Sequence, residues 1–127
     1  MPSVVLDASA ILAVLNGEAG ADAILPELDG SQVSAVNYAE VTSKLASSGV
    51  GRRAASSSVL RLGVRVVEFD SDLADRTGEL RPLTRHRGLS LGDRACLALA
   101  EREGAVVMTA DRSWVDVIPG VTVRLFR

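Results

Sequence analysis

Short runs of β-branched and aliphatic residues alternate along this chain with longer stretches whose apolar positions recur at helical spacing. The run Ser3–Leu6 (SVVL) predicts a short buried strand, and residues 8–16 a helix stopped at Asn16-Gly17, where glycine suits the left-handed C-terminal cap. A second helix is expected from Ala19 to Leu28 with Ile24, Leu25 and Leu28 on its apolar face, ended by the turn signal Asp29-Gly30. Gln32–Ala35 reads as a strand, Asn37–Ser48 and Arg52–Leu62 as helices, and Arg65–Phe69 as a third strand. Helices are then expected over Ser71–Arg85 and Ser90–Glu103, the latter stopped by Gly104. Strands follow at Ala105–Thr109 and 121–126. Strands separated by helices build βαβ units around a parallel sheet. Continuous apolar strands such as VVL and AVVM suit a sheet covered on both faces. The expected fold is α/β, three layers (α/β/α) around a parallel sheet of about five strands, in one domain spanning residues 1–127.

Composition narrows the chemistry. The 127 residues include 16 acids and 14 bases, for a net charge of −2, and only one of the bases, Lys44, is a lysine. With a pI near 5.4, the chain as a whole is not a basic nucleic-acid binder. The aromatic residues are Tyr38, Phe69, Trp114 and Phe126, too scattered for a base-stacking platform. One Cys (Cys96) and one His (His86) exclude an intrachain disulfide and a His/Cys zinc site. Any metal must be held by carboxylates, which favours a hard ion such as Mg²⁺ or Mn²⁺. No apolar run is long enough to span a membrane, and Asp7 interrupts the N-terminal one, so a soluble cytoplasmic protein is expected.

In a parallel sheet, ligands bind at the carboxyl edge, where each strand hands over to the next helix. Asp7 directly follows the first strand. Glu40 is expected in the first turn of the helix after the second, Asp93 in the first turn of the helix leading into the fourth strand, and Asp111 just past that strand. Each position alone has a plainer explanation. Acids favour helix N-termini, and Ser90 with Asp93 has capping-box spacing. Four acids brought to one edge repel one another unless a cation neutralises them. His86, the lone histidine, sits in an arginine-rich loop and suits a solvated position better than a general base.

The segments Val4-Val5-Leu6-Asp7-Ala8-Ser9-Ala10, Ser34-Ala35-Val36-Asn37-Tyr38-Ala39-Glu40-Val41, Leu89-Ser90-Leu91-Gly92-Asp93 and Met108-Thr109-Ala110-Asp111-Arg112-Ser113-Trp114 resemble the acidic motifs of PIN-domain ribonucleases, and more narrowly the VapC-type toxins of toxin–antitoxin pairs. The resemblance runs nearly end to end. It implies a Mg²⁺- or Mn²⁺-dependent endoribonuclease with Asp7, Glu40, Asp93 and Asp111 as the metal-holding catalytic quartet. It also implies inhibition by a small VapB-type antitoxin, and a homodimer that assembles further with that antitoxin. Supporting roles are expected for three residues. Ser9 would bond the metal cluster or a phosphate, or cap its helix; Asn37 would cap its helix; Thr109 would orient Asp111 by a hydrogen bond. Asp116 is a possible outer ligand but suits a surface acid better. Trp114 and Cys96 are expected to pack in the core.

Basic residues gather in two acid-free stretches. Lys44, Arg52, Arg53, Arg61 and Arg65 occupy the first, and Arg81, Arg85 and Arg87 the second. The second group is expected to steer RNA phosphates toward the acids, or else to form an ordinary solvated face. The alanine- and leucine-rich helices between Ala19 and Leu62 would offer an apolar groove to an antitoxin helix, as the resemblance implies. Rival classes fit less well. A phosphoacceptor receiver domain needs paired acids after the first strand, and a haloacid-dehalogenase-type phosphatase needs a second Asp where Ser9 stands. A non-enzymatic metal-binding or interaction scaffold, or an RNA-processing nuclease that is not a toxin, keeps the fold and changes the role.

Overall fold

The computed structural model describes residues 3–127. Five parallel strands form one sheet: β1 (Val4–Leu6), β2 (Gln32–Ser34), β3 (Arg65–Val67), β4 (Val106–Thr109) and β5 (Val123–Leu125). Their order is β3-β2-β1-β4-β5. The winding therefore reverses between β1 and β4, which pair in register from Val4↔Val106 to Leu6↔Met108. This is the switch point at which α/β sheets open a crevice.

The helices are α1 (Ala8–Asn16), α2 (Ala21–Ile24), α3 (Ala35–Ser47), α4 (Arg52–Leu60), α5 (Ser71–Thr84) and α6 (Leu91–Glu103). Side chains alternate across the sheet as the pleat requires. Val4, Leu6, Val33 and Met108 pack with Ile11, Ile24, Val41 and Val59 on the α1–α4 side. Val5 and Val107 pack with Leu73, Leu80, Cys96, Leu97 and Trp114 on the α5–α6 side. Trp114 and Cys96 are core residues, as expected. Arg76 clamps α5 to α6 through Glu101, with Nε–Oε1 at 2.7 Å and Nη2–Oε2 at 2.9 Å.

The expected helix over Ala19–Leu28 is broken. It is a single turn, α2, followed by a 3₁₀ turn over Leu25–Glu27. Pro26 has no N–H to continue the α-helical ladder. The chain consequently rotates, burying Ile24 and Leu28 and leaving Leu25 half exposed. The α3 helix begins two residues earlier than expected. Ser34, at the end of β2, is its N-cap and accepts from the Val36 N–H. Among the described residues, no single helix is long and apolar enough to cross a membrane.

Candidate active site

A cleft of about 730 Å³ opens at the carboxyl edge of the sheet beside β1 and β4, lined in part by Asp7, Ser9, Asn37, Glu40, Asp93 and Asp111. All four acids singled out in the sequence reach it. Asp7 lies deepest. It is both the residue after β1 and the N-cap of α1, and it is only 6% exposed. Its Oδ1 accepts from the Ser9 hydroxyl at 2.6 Å and the Ala10 N–H at 2.9 Å, and its Oδ2 from the Thr109 hydroxyl at 2.5 Å. Burial nonetheless pushes the Asp7 carboxyl above the ordinary carboxylate range; these three donors oppose the rise, and the Asp93 charge adds to it.

The other acids are more open. Asp93, half-buried, is the third residue of α6 and completes a capping box. Its Oδ2 accepts from the Ser90 N–H at 2.9 Å, while its own N–H donates to Ser90 Oγ at 3.2 Å. Asp111, exposed, caps the turn Arg112–Trp114 and accepts at Oδ1 from the Ser113 N–H and hydroxyl. Glu40 sits in the second turn of α3, not the first, because Ser34 caps that helix. Its Oε1 accepts from Asn37 Nδ2 at 2.8 Å.

The supporting residues differ from expectation in instructive ways. Asn37 is not a cap; its amide also donates to the Gly92 carbonyl at 3.0 Å and so ties α3 to α6. The Thr109 side chain orients Asp7 rather than Asp111, and reaches Asp111 only by accepting its backbone N–H at 3.1 Å. Ser9 binds Asp7 and accepts from the Ala110 N–H at 3.4 Å. The arginines expected to steer RNA are absent from the cleft wall. Arg87 instead straps the Asp111 loop, its Nη1 donating to the Ser113 carbonyl at 3.0 Å and to the Val115 carbonyl. Arg81 and Arg85 lie exposed beside it, on α5 and the following turn. The cations lining the cleft are Lys44, Arg112 and Arg127. Their signal was available: Lys44 follows Glu40 by one helical turn, and Arg112 adjoins Asp111. Asp116 lies apart, beside Ile118 and Val121, in a left-handed conformation (φ 57°).

The donor set is entirely oxygen, which suits a hard cation. Among the described residues, Glu40 Oε2, Asp93 Oδ1 and Asp111 Oδ2 accept no hydrogen bond from protein and remain free to ligate. No three of the acids close into a cage there. That arrangement fits an ion that keeps several waters and takes one or two carboxylates, as Mg²⁺ does.

Fold and cleft together define an α/β protein with an acidic site at its switch point. The PIN domain family model matches residues 4–118, and the chain belongs to that family. A search of curated proteins found no match. Among solved structures, the chain is similar to a toxin–antitoxin complex from Klebsiella pneumoniae, with 20% identity, 94% of this chain and 96% of that one covered, and a TM-score of 0.74. It is similar to VapBC2 from Rickettsia felis bound to a promoter DNA fragment, with 15% identity, coverages of 96% and 97%, and a TM-score of 0.73. It also resembles VapC20 from Mycobacterium tuberculosis, a sarcin-ricin loop cleaving toxin, with 24% identity, coverages of 81% and 85%, and a TM-score of 0.65.

Proposed function

We propose that this protein is a Mg²⁺- or Mn²⁺-dependent endoribonuclease, the toxin of a VapBC-type pair, inhibited by a small antitoxin. The observation that carries the reading is the meeting of Asp7, Glu40, Asp93 and Asp111 in one cleft around a desolvated carboxylate. The structural neighbours support the toxin role, several of them being toxin–antitoxin complexes.

Attack on a phosphodiester brings an anionic nucleophile to an anionic centre. A divalent ion held by one or two of these acids would supply the positive charge that activates water and offsets charge on the phosphate and the leaving oxygen. The chain's own residues set the geometry. Asp7 is locked on both oxygens by Ser9, Ala10 and Thr109, so it presents a carboxylate of fixed orientation at the cleft floor. Asp93 and Asp111 are each held by one oxygen, leaving the other for ligation. Lys44 and Arg112 supply positive charge at the rim, where an RNA backbone would enter.

Purified protein should cleave RNA with added Mg²⁺ or Mn²⁺ and stop in excess EDTA. Asp7→Asn should abolish cleavage while the protein stays folded, because asparagine is an equally good N-cap. Retained cleavage by Asp7→Asn, or full activity in EDTA, would contradict the mechanism.

A further inference from the structure

Gly92, the second residue of α6, has no backbone reason to be glycine, since its conformation is the ordinary helical one. Alanine would be the better helix former there. What a side chain there would displace is the Glu40 carboxylate. A Cβ at position 92 would lie 2.7 Å from both Glu40 Oε1 and Oε2, and 2.9 Å from its Cδ. The carboxylate therefore rests flat against the Gly92 Cα, at the positive end of the α6 dipole. The same peptide is tied to Glu40 a second way. Asn37 Nδ2 donates to Glu40 Oε1 at 2.8 Å and to the Gly92 carbonyl at 3.0 Å, which uses both amide protons. The orientation of that amide is determined, because a flip would set its carbonyl against two acceptors. Its Oδ1 is buried without a partner, a cost accepted for this bridge.

We infer that Gly92 and Asn37 are positioning residues for Glu40: the bare Cα at 92 and the Asn37 amide together seat the Glu40 carboxylate where it can hold the metal ion. The inference rests on the nuclease reading above. A glutamate on an exposed helix face otherwise samples several rotamers. A Cβ at 92 must drive the carboxylate away by about 0.7 Å before ordinary contact distance is restored.

The test compares wild type, Gly92→Ala, Glu40→Asp and the Gly92→Ala/Glu40→Asp double variant. It measures RNA cleavage, the binding of Mn²⁺ alone by electron paramagnetic resonance, and thermal stability. A misplacement of this size is expected to lower kcat by roughly 100-fold with KM changed less than about 3-fold. Mn²⁺ affinity should fall by about 10-fold. The melting temperature of Gly92→Ala should match or exceed that of wild type, which separates misplacement from unfolding. Because aspartate withdraws the carboxylate from position 92, the double variant should be no worse than Glu40→Asp alone. Asn37→Ala adds no atom and serves if Gly92→Ala does not fold; it should lower kcat and Mn²⁺ affinity in the same sense. An active wild type with wild-type kcat and Mn²⁺ affinity in Gly92→Ala, or with fully additive losses in the double variant, overturns the inference and leaves the nuclease reading standing. A wild type that neither cleaves RNA nor binds Mn²⁺ overturns both.

Discussion

Thr109 is fully buried at the end of β4, and its hydroxyl both donates to Asp7 Oδ2 at 2.5 Å and accepts from the Asp111 N–H at 3.1 Å. Thr109→Val keeps the branched shape that the strand favours and deletes both bonds. A hydrogen bond to a charged group contributes roughly 1.5–3 kcal/mol. Burying a methyl in place of the hydroxyl returns about 0.8 kcal/mol. The Asp111 N–H is only partly buried, so water replaces much of its lost partner. The net expectation is a loss of about 1.5 kcal/mol at pH 8, which at about 3–5 °C per kcal/mol for a chain of this size is a fall of roughly 5–8 °C in melting temperature. The loss should depend on pH with a definite sign. The Thr109 bond favours the ionised form of Asp7, so the variant's carboxyl must titrate even higher than the already raised wild-type one. The advantage of wild type is thus complete where Asp7 is ionised in both proteins, and it shrinks as pH falls through the variant's and then the wild type's titration. Urea unfolding of both proteins in EDTA, in a pH series from 8 down into the ordinary carboxylate range, measures this directly. A loss that stays constant across the range, or none at pH 8, would refute the assignment of Thr109 to the Asp7 carboxylate.

Further outcomes concern Asp7 inside the cleft and Asp116 outside it. The raised Asp7 carboxyl means that folding favours its protonated form, so stability from this group is full below the ordinary carboxylate range and erodes as pH rises through the folded value. At neutral pH in EDTA, Asp7→Asn should therefore be at least as stable as wild type; Mg²⁺ at 100 times its dissociation constant should stabilise wild type by about 2.7 kcal/mol and the variant hardly at all, as read by calorimetry. Asp116→Asn should leave cleavage and Mn²⁺ affinity unchanged, because Asp116 lies outside the cleft and asparagine tolerates its left-handed backbone; a drop of about 10-fold or more would return Asp116 to the ligand set.

The arrival of the four acids at one edge was legible because it depends only on strand–helix alternation, which apolar runs such as VVL and AVVM carry strongly. What depends on one helix facing another was not. Asn37 looked like a cap by residue type, yet Ser34 takes that role from within β2, and Asn37 is left to bridge to Gly92 on a helix 55 residues away. Thr109 reaches past the nearby Asp111 side chain to Asp7 because β1 and β4 are neighbours in the sheet, a pairing that linear spacing does not express. The charge clusters misdirected attention for the same reason. Arg87 satisfies two backbone carbonyls of the Asp111 loop, while Lys44, from the other basic stretch, stands at the cleft. Pro26 was visible in the sequence and sufficed to break the helix expected there.

The placement of β4 beside β1 also has a consequence for synthesis. Asp7 emerges from the ribosome 102 residues before its Thr109 partner, and β1 lacks its central neighbour until β4 has been translated. A chain that stops short of β4 thus carries an unfinished acidic cleft. On the reading proposed above, cleavage therefore waits for translation of the strand that closes the sheet beside Asp7.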